Sequence, residues 1–68
     1  MNAHDPNLDG LAQLHYGDGD YVVLKLGRFV ICAVTGRQIP LDALRYWSID
    51  LQESYVGPGE LIARAAAA

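Results

Sequence analysis

The sequence is poor in the devices that small domains use to hold themselves together. It has one cysteine in 68 residues, Cys32, so no disulfide can close within the chain. A lone thiol fits a reducing compartment, and the protein is read as cytoplasmic. Basic residues are scarce, five Lys+Arg against eight Asp+Glu for a formal charge of -3. That balance argues against a protein held on nucleic acid by phosphate neutralisation and against a polybasic membrane binder. No apolar run approaches the roughly 18–20 residues of a membrane span. Met1-Asn2-Ala3-His4-Asp5-Pro6 has neither the basic stretch nor the apolar core of a secretory signal. A glycine-rich phosphate loop, a paired-histidine helix and a Ser/His/Asp arrangement are all missing.

What is present is apolar. Residues of that class make up 51% of the chain, which excludes a disordered protein. At this length only one core fits. Domains below about 70–80 residues seldom draw more than about 3–5 kcal/mol from one core. Without a disulfide, a metal or a partner is the remaining source of stability, and that choice organises the functional question. The charges are segregated. Residues 1–24 hold Asp5, Asp9, Asp18 and Asp20 with no Lys or Arg, whereas residues 25–68 hold all five bases and the other four acids.

Turn and breaker pairs, Asp5-Pro6 and Asp9-Gly10, mark residues 1–12 as a mobile tail. A single domain follows over 13–64, and residues 65–68 are a fraying Ala end. Gln13–Tyr16 and Tyr21–Leu24 flank Gly17-Asp18-Gly19-Asp20, a strong hairpin signal because Gly and Asp accept the positive φ of tight turns. Phe29–Val34 is apolar on both alternating faces and reads as a central strand covered on both sides. Gln38–Leu41 is an edge segment, since Pro40 cannot donate to a ladder. Asp42–Leu44 is a turn or one helical turn, and Arg45–Trp47 is a last strand. Ser48 then caps a turn through Ile49–Leu51. Pro58 with Glu60 starts a helix. The fold class is α+β: a small, mostly antiparallel β structure of three to five short strands with a short C-terminal helix.

Cys32-Ala33-Val34-Thr35-Gly36 has the spacing and the glycine of a zinc knuckle, but Thr35 stands where the second thiolate belongs. Cys32, His4 and His15 give three ligands at most, short of the usual four. The segment is therefore read as a zinc-ribbon-like hairpin without metal, with Cys32 a buried apolar thiol. Nothing local is expected to depress the pKa of Cys32, and an apolar strand should raise it, so no catalytic Cys–His pair is assigned. A calcium loop starting at Asp18 would need an acid at its twelfth position, which is Phe29. Arg45-Tyr46-Trp47 and Tyr55 form an aromatic cluster with a cation, the composition of interface hot spots. Against this, the lone Trp of a small domain is usually core. Gln52-Glu53 is read as a solvated turn.

Asp18-Gly19-Asp20-Tyr21, Phe29-Val30, Cys32–Gly36, Ile39-Pro40-Leu41, Leu44–Ser48, Gln52-Glu53 and Tyr55, in that order, resemble a family of short alphaproteobacterial proteins, the DUF2093-like family of unknown function. The resemblance spans about residues 13–56. It implies a free-standing bacterial protein and supplies no catalytic residues. Leu26 and Gln38 depart from it, standing where proline is expected. A more distant similarity, to zinc ribbons and treble clefs that have lost their metal, rests on residues 32–41 alone.

The functional expectation is a non-enzymatic protein-interaction module without cofactor or metal. Its contact residues would be Arg45, Tyr46, Trp47 and Tyr55, with Thr35, Gly36 and Arg37 beside them. Its partner is another protein or a second copy. The alternative is a metal or redox site assembled across a homodimer through Cys32 and His15.

Overall fold

The computed structural model describes residues 9–67. Six short strands form three antiparallel pairs, followed by one helix. β1 (Gln13–Tyr16) pairs with β2 (Tyr21–Lys25), β3 (Phe29–Ile31) with β4 (Gln38–Pro40), and β5 (Tyr46–Ser48) with β6 (Glu53–Tyr55). A 3₁₀ turn, Leu41–Ala43, joins β4 to β5, and helix α1 covers Pro58–Ala67. Single parallel bridges, Leu11 with Phe29 and Cys32 with Ser54, fasten the three pairs to one another. Leu14, Tyr16, Val30, Cys32, Ile39, Leu44 and Tyr55 meet in the core, and Trp47, Val56 and Leu61 close over it.

The local chemistry explains most of these elements. In the first hairpin the Gly17 N–H bonds the Asp20 carbonyl at 2.8 Å. Gly19, at φ +83°, supplies the left-handed residue that the turn needs. The burial of β1 alternates strictly, with Leu14 and Tyr16 inward and Gln13 and His15 outward. Proline opens α1, and the Gly57 carbonyl accepts the Leu61 N–H.

Several expectations need correction. There are six strands rather than three to five, because the chain reverses at Ile49–Gln52 and returns as β6 beside β5. The strand expected over Phe29–Val34 ends at Ile31. Beyond it the Gly36 N–H reaches back to the Cys32 carbonyl and the Cys32 N–H to the Arg37 carbonyl, at 2.9 and 2.8 Å. This turn overrides the β-propensity of Ala33 and Val34, and leaves Val34 43% exposed. Residues 9–12 are not tail. The Ala12 N–H bonds the Phe29 carbonyl at 2.8 Å, the Gly10 carbonyl accepts the Arg28 N–H at 2.6 Å, and Ala12 is buried. The earlier part of the expected tail, His4 included, lies outside the described residues. At the other end, Ala65–Ala67 form the last residues of α1. Once Leu61 is packed, extending a helix through alanine costs little.

Candidate interaction groove

Trp47 organises the surface on one side of the molecule. It sits on β5, half-buried, with Tyr16 stacked on it at 5.8 Å and Tyr21 edge-on at 5.8 Å. Its indole Nε1–H donates to the Gly17 carbonyl at 2.9 Å. The ring is therefore fixed by two aromatic contacts and one hydrogen bond, which join β5 to the first hairpin. Beside it opens a groove of about 320 Å³ lined by Gly17, Asp18, Arg45, Tyr46, Trp47 and Leu61, among others. Arg45 is exposed. Its Nη1 donates to the carbonyls of Asp42 and Leu44, at 3.2 and 3.1 Å, which holds the guanidinium at the rim.

Of the expected contact residues, Arg45, Tyr46 and Trp47 come together in this groove. Tyr55 does not belong with them. It is 1% exposed, opposite Tyr46 in the β5–β6 ladder, with its side chain in the core. Its hydroxyl donates to Glu53 Oε1 at 3.0 Å. Burial first, and then the neighbouring carboxylate, push the phenol above its ordinary pKa. Thr35, Gly36 and Arg37 are exposed, but none of them lines the groove. Their turn is tied instead to β6, where the Ala33 N–H bonds the Ser54 carbonyl at 2.9 Å.

The surroundings of Cys32 also differ from expectation. Burial pushes the thiol up. Hydrogen bonds from the Thr35 hydroxyl and from the main-chain N–H groups of Thr35, Val34 and Val56 outweigh it, and the net pKa lies below the ordinary thiol value. The Val56 N–H stands 3.4 Å from the sulfur. Thr35, in place of a second thiolate, thus serves the first one as a donor. The thiol is nonetheless 1% exposed, whereas His15 is on the outer face of β1. A second copy cannot reach this sulfur in the folded chain, which removes the expected shared site of Cys32 and His15. Among the described residues no three His, Cys, Asp or Glu side chains are grouped to hold a metal ion.

Two polar devices were not foreseen. Gln52, read as a solvated turn, clamps the first hairpin: its side-chain amide accepts the Tyr16 N–H at 2.9 Å and donates to the Tyr16 carbonyl at 2.8 Å. Glu53 binds Arg64 through two contacts, Nε to Oε1 at 3.0 Å and Nη2 to Oε2 at 3.3 Å, which docks α1 on β6. No sequence signal joins residues so far apart in type of element.

The Arg64 hydrogen bonds hold the Glu53 carboxyl below the usual range against a partial burial that raises it, and the Tyr55 hydroxyl assists. The folded state therefore binds that proton less readily than the unfolded chain. The stabilisation is fully present above the unfolded pKa of about 4.3 and is lost as pH falls through the lower folded value. Glu53→Gln should lower the Tm at pH 7 and converge on the wild type near pH 2–3. Parallel melting curves for the two proteins between these limits would reject this role for the pair.

A small α+β domain of three linked hairpins with an aromatic groove defines the class. Residues 23–64 match the family described as "Uncharacterized protein conserved in bacteria (DUF2093)", and the chain belongs to that family. The match starts within β2 and runs through most of α1, later at both ends than the span of the sequence resemblance. No curated protein and no solved structure matches the chain.

Proposed function

We propose that this protein is a non-catalytic interaction module that receives a protein partner in the groove at Trp47. The observation that carries the reading is the immobilised indole at the groove, with Tyr46 beside it and Arg45 exposed at its rim. Trp, Tyr and Arg are the residue types that dominate binding energy at protein interfaces. A side chain already held by its neighbours loses little freedom when a partner covers it. Asp18 also lines the groove and, with Arg45, gives it charges of both signs, which suits a polar rim around an aromatic centre.

The same reading takes the β3–β4 hairpin as a zinc-ribbon-like knuckle that does without metal. What supports it is the Cys32-to-Gly36 spacing, with N–H groups and the Thr35 hydroxyl around the sulfur. The reading also takes the protein as bacterial and cytoplasmic; the family description, conserved in bacteria, supports the first of these. Among the described residues no helix is long and apolar enough to cross a membrane.

The test is a tagged pull-down from the native cell, identified by mass spectrometry, beside a doubly substituted Arg45→Glu, Tyr46→Ala protein. The expected result is a specific partner retained by the wild type and lost by the variant. Both changes fall on the groove wall and leave the Nε1 bond of Trp47 in place. A partner held equally by both proteins would remove the groove from the interaction.

A further inference from the structure

The most apolar exposed segment is β2 and the residue after it. Val22 is 62% exposed, Val23 41%, Leu24 61% and Leu26 88%. β2 pairs with β1 on one side only. The hydrogen-bond phase of this hairpin fixes which main-chain groups face its free edge. The Gly17 N–H points at the Asp20 carbonyl, so along an antiparallel ladder Tyr16/Tyr21 is a non-bonded pair, His15/Val22 a bonded pair and Leu14/Val23 again non-bonded. Two observations agree with that phase. The outward N–H and C=O of Tyr16 are taken by Gln52, and the outward N–H of Tyr21 is taken by the Asp20 carboxylate at 2.7 Å. Val23 then directs its N–H and C=O away from β1, flanked by exposed Val22 and Leu24.

We propose that β2 is a self-association edge, on which a second copy of this chain pairs antiparallel about a two-fold axis at Val23. This interface is separate from the Trp47 groove and stands without it. In this register the two Val23 residues exchange N–H···O=C bonds, and Val22 of each copy lies beside Leu24 of the other. The charges select the occupant and its direction. The strand has Asp20 just before it and Lys25 at its end. An antiparallel pair brings the second copy's Lys25 next to Tyr21 and Asp20 at both ends of the interface, whereas a parallel pair sets acid against acid and base against base. Lysine on an edge strand ordinarily discourages pairing; here each copy supplies the acid that answers it. The two-fold pairing is isologous and closes at two copies. The outer edge of β1 is occupied by Gln52 and, just before the strand, by the Ala12–Phe29 bond, so the sheet does not extend further. The register also shifts between Gln13 and Leu14, leaving Leu24 as an extra residue on β2. Such a bulge shortens the regular edge, so the contact is a small one, of the weak and reversible kind.

Sedimentation equilibrium of the full chain over a concentration series tests this. The wild type should show a monomer–dimer equilibrium with a Kd on the order of 1–100 μM. Asp20→Lys and Lys25→Asp proteins should each dimerise at least tenfold more weakly. Mixed together they should form a heterodimer of wild-type affinity, because each then presents the charge that the other needs. Val23→Pro removes the outward N–H without touching a bond to β1 and should also leave a monomer. Trp47 fluorescence reports whether each variant is folded, and the mixing result stands even where Val23→Pro is not. A wild type that stays monomeric at several hundred micromolar overturns the proposal. So does a dimer indifferent to the charge changes, which would place association on another face.

Discussion

Gly27→Ala will leave most of the chain unfolded at 25 °C. Gly27 precedes Arg28 at the crossing where the chain enters β3, and its α-carbon passes against the backbone of residues 10–12. A methyl group there would stand 2.5 Å from the Gly10 carbonyl oxygen and 2.6 Å from the Ala12 α-carbon, distances that real side chains do not adopt. The obstructing atoms are main chain, and they are held: the Gly10 carbonyl accepts the Arg28 N–H at 2.6 Å and the Ala12 N–H bonds Phe29 at 2.8 Å. Making room means breaking these bonds and moving Ala12 out of the core. The cost belongs in the upper range for single substitutions, about 4–5 kcal/mol. A domain of this size has about 3–5 kcal/mol in all. Gly19→Ala is the control. Gly19 has φ +83° but open space where its methyl would go, so it should lose only the left-handed conformational preference, about 1–2 kcal/mol. Urea unfolding followed by far-UV circular dichroism and Trp47 fluorescence separates the two. A Gly27→Ala protein that unfolds cooperatively within about 1 kcal/mol of the wild type would mean that the crossing is loose.

The contrast between these glycines also shows what the sequence carries. Gly19 was legible because Gly-Asp-Gly-Asp between two β-prone runs states a local conformational need. Gly27 has no such pattern around it. Its real constraint is a contact with residues fifteen and more positions away, and nothing local encodes that. The same division runs through the fold. The first hairpin, the edge segment at Pro40, the 3₁₀ turn and the start of α1 rest on short-range chemistry and were anticipated. β6 was missed because Glu53-Ser54-Tyr55 becomes a strand through its pairing with β5, not through its own pattern. Tyr55 has the sequence surroundings of a contact residue and is core, since its burial depends on which face of β6 turns inward.

The candidate site divides in the same way. Arg45, Tyr46 and Trp47 are neighbours in sequence, and one strand presents them together. The Thr35–Arg37 turn is also continuous, but its position relative to Trp47 depends on how the hairpins dock. Cys32 is the plainest case. Its apolar neighbours predict a thiol made harder to ionise. The donors that reverse this come from the turn that follows it and from Val56, which reaches the sulfur only after β6 has paired.

Gln52 supplies the second large effect. It has φ +54°, a left-handed conformation uncommon for a residue with a side chain. That conformation aims its amide at β1, where it takes the place of a neighbouring strand. The oxygen accepts the Tyr16 N–H at 2.9 Å, and the nitrogen donates to the carbonyls of Tyr16 and Ile49, both at 2.8 Å. Tyr16 carries the ring stacked on Trp47, and Trp47 bonds Gly17. One side chain therefore registers the first hairpin against the turn between β5 and β6 and fixes one wall of the groove. Gln52→Ala leaves a half-buried N–H and a carbonyl without their partner, a loss of about 2–3 kcal/mol, or roughly 10–20 °C in Tm for a domain of this length. Gln52→Asn separates the two contributions. Asparagine accepts the left-handed backbone well, but its amide is one methylene short of Tyr16. If the clamp is what matters, the Asn variant loses nearly as much as the Ala variant, and hydrogen exchange at the Tyr16 amide accelerates in both. If the backbone conformation is what matters, the Asn variant holds the wild-type Tm and the Tyr16 amide stays protected.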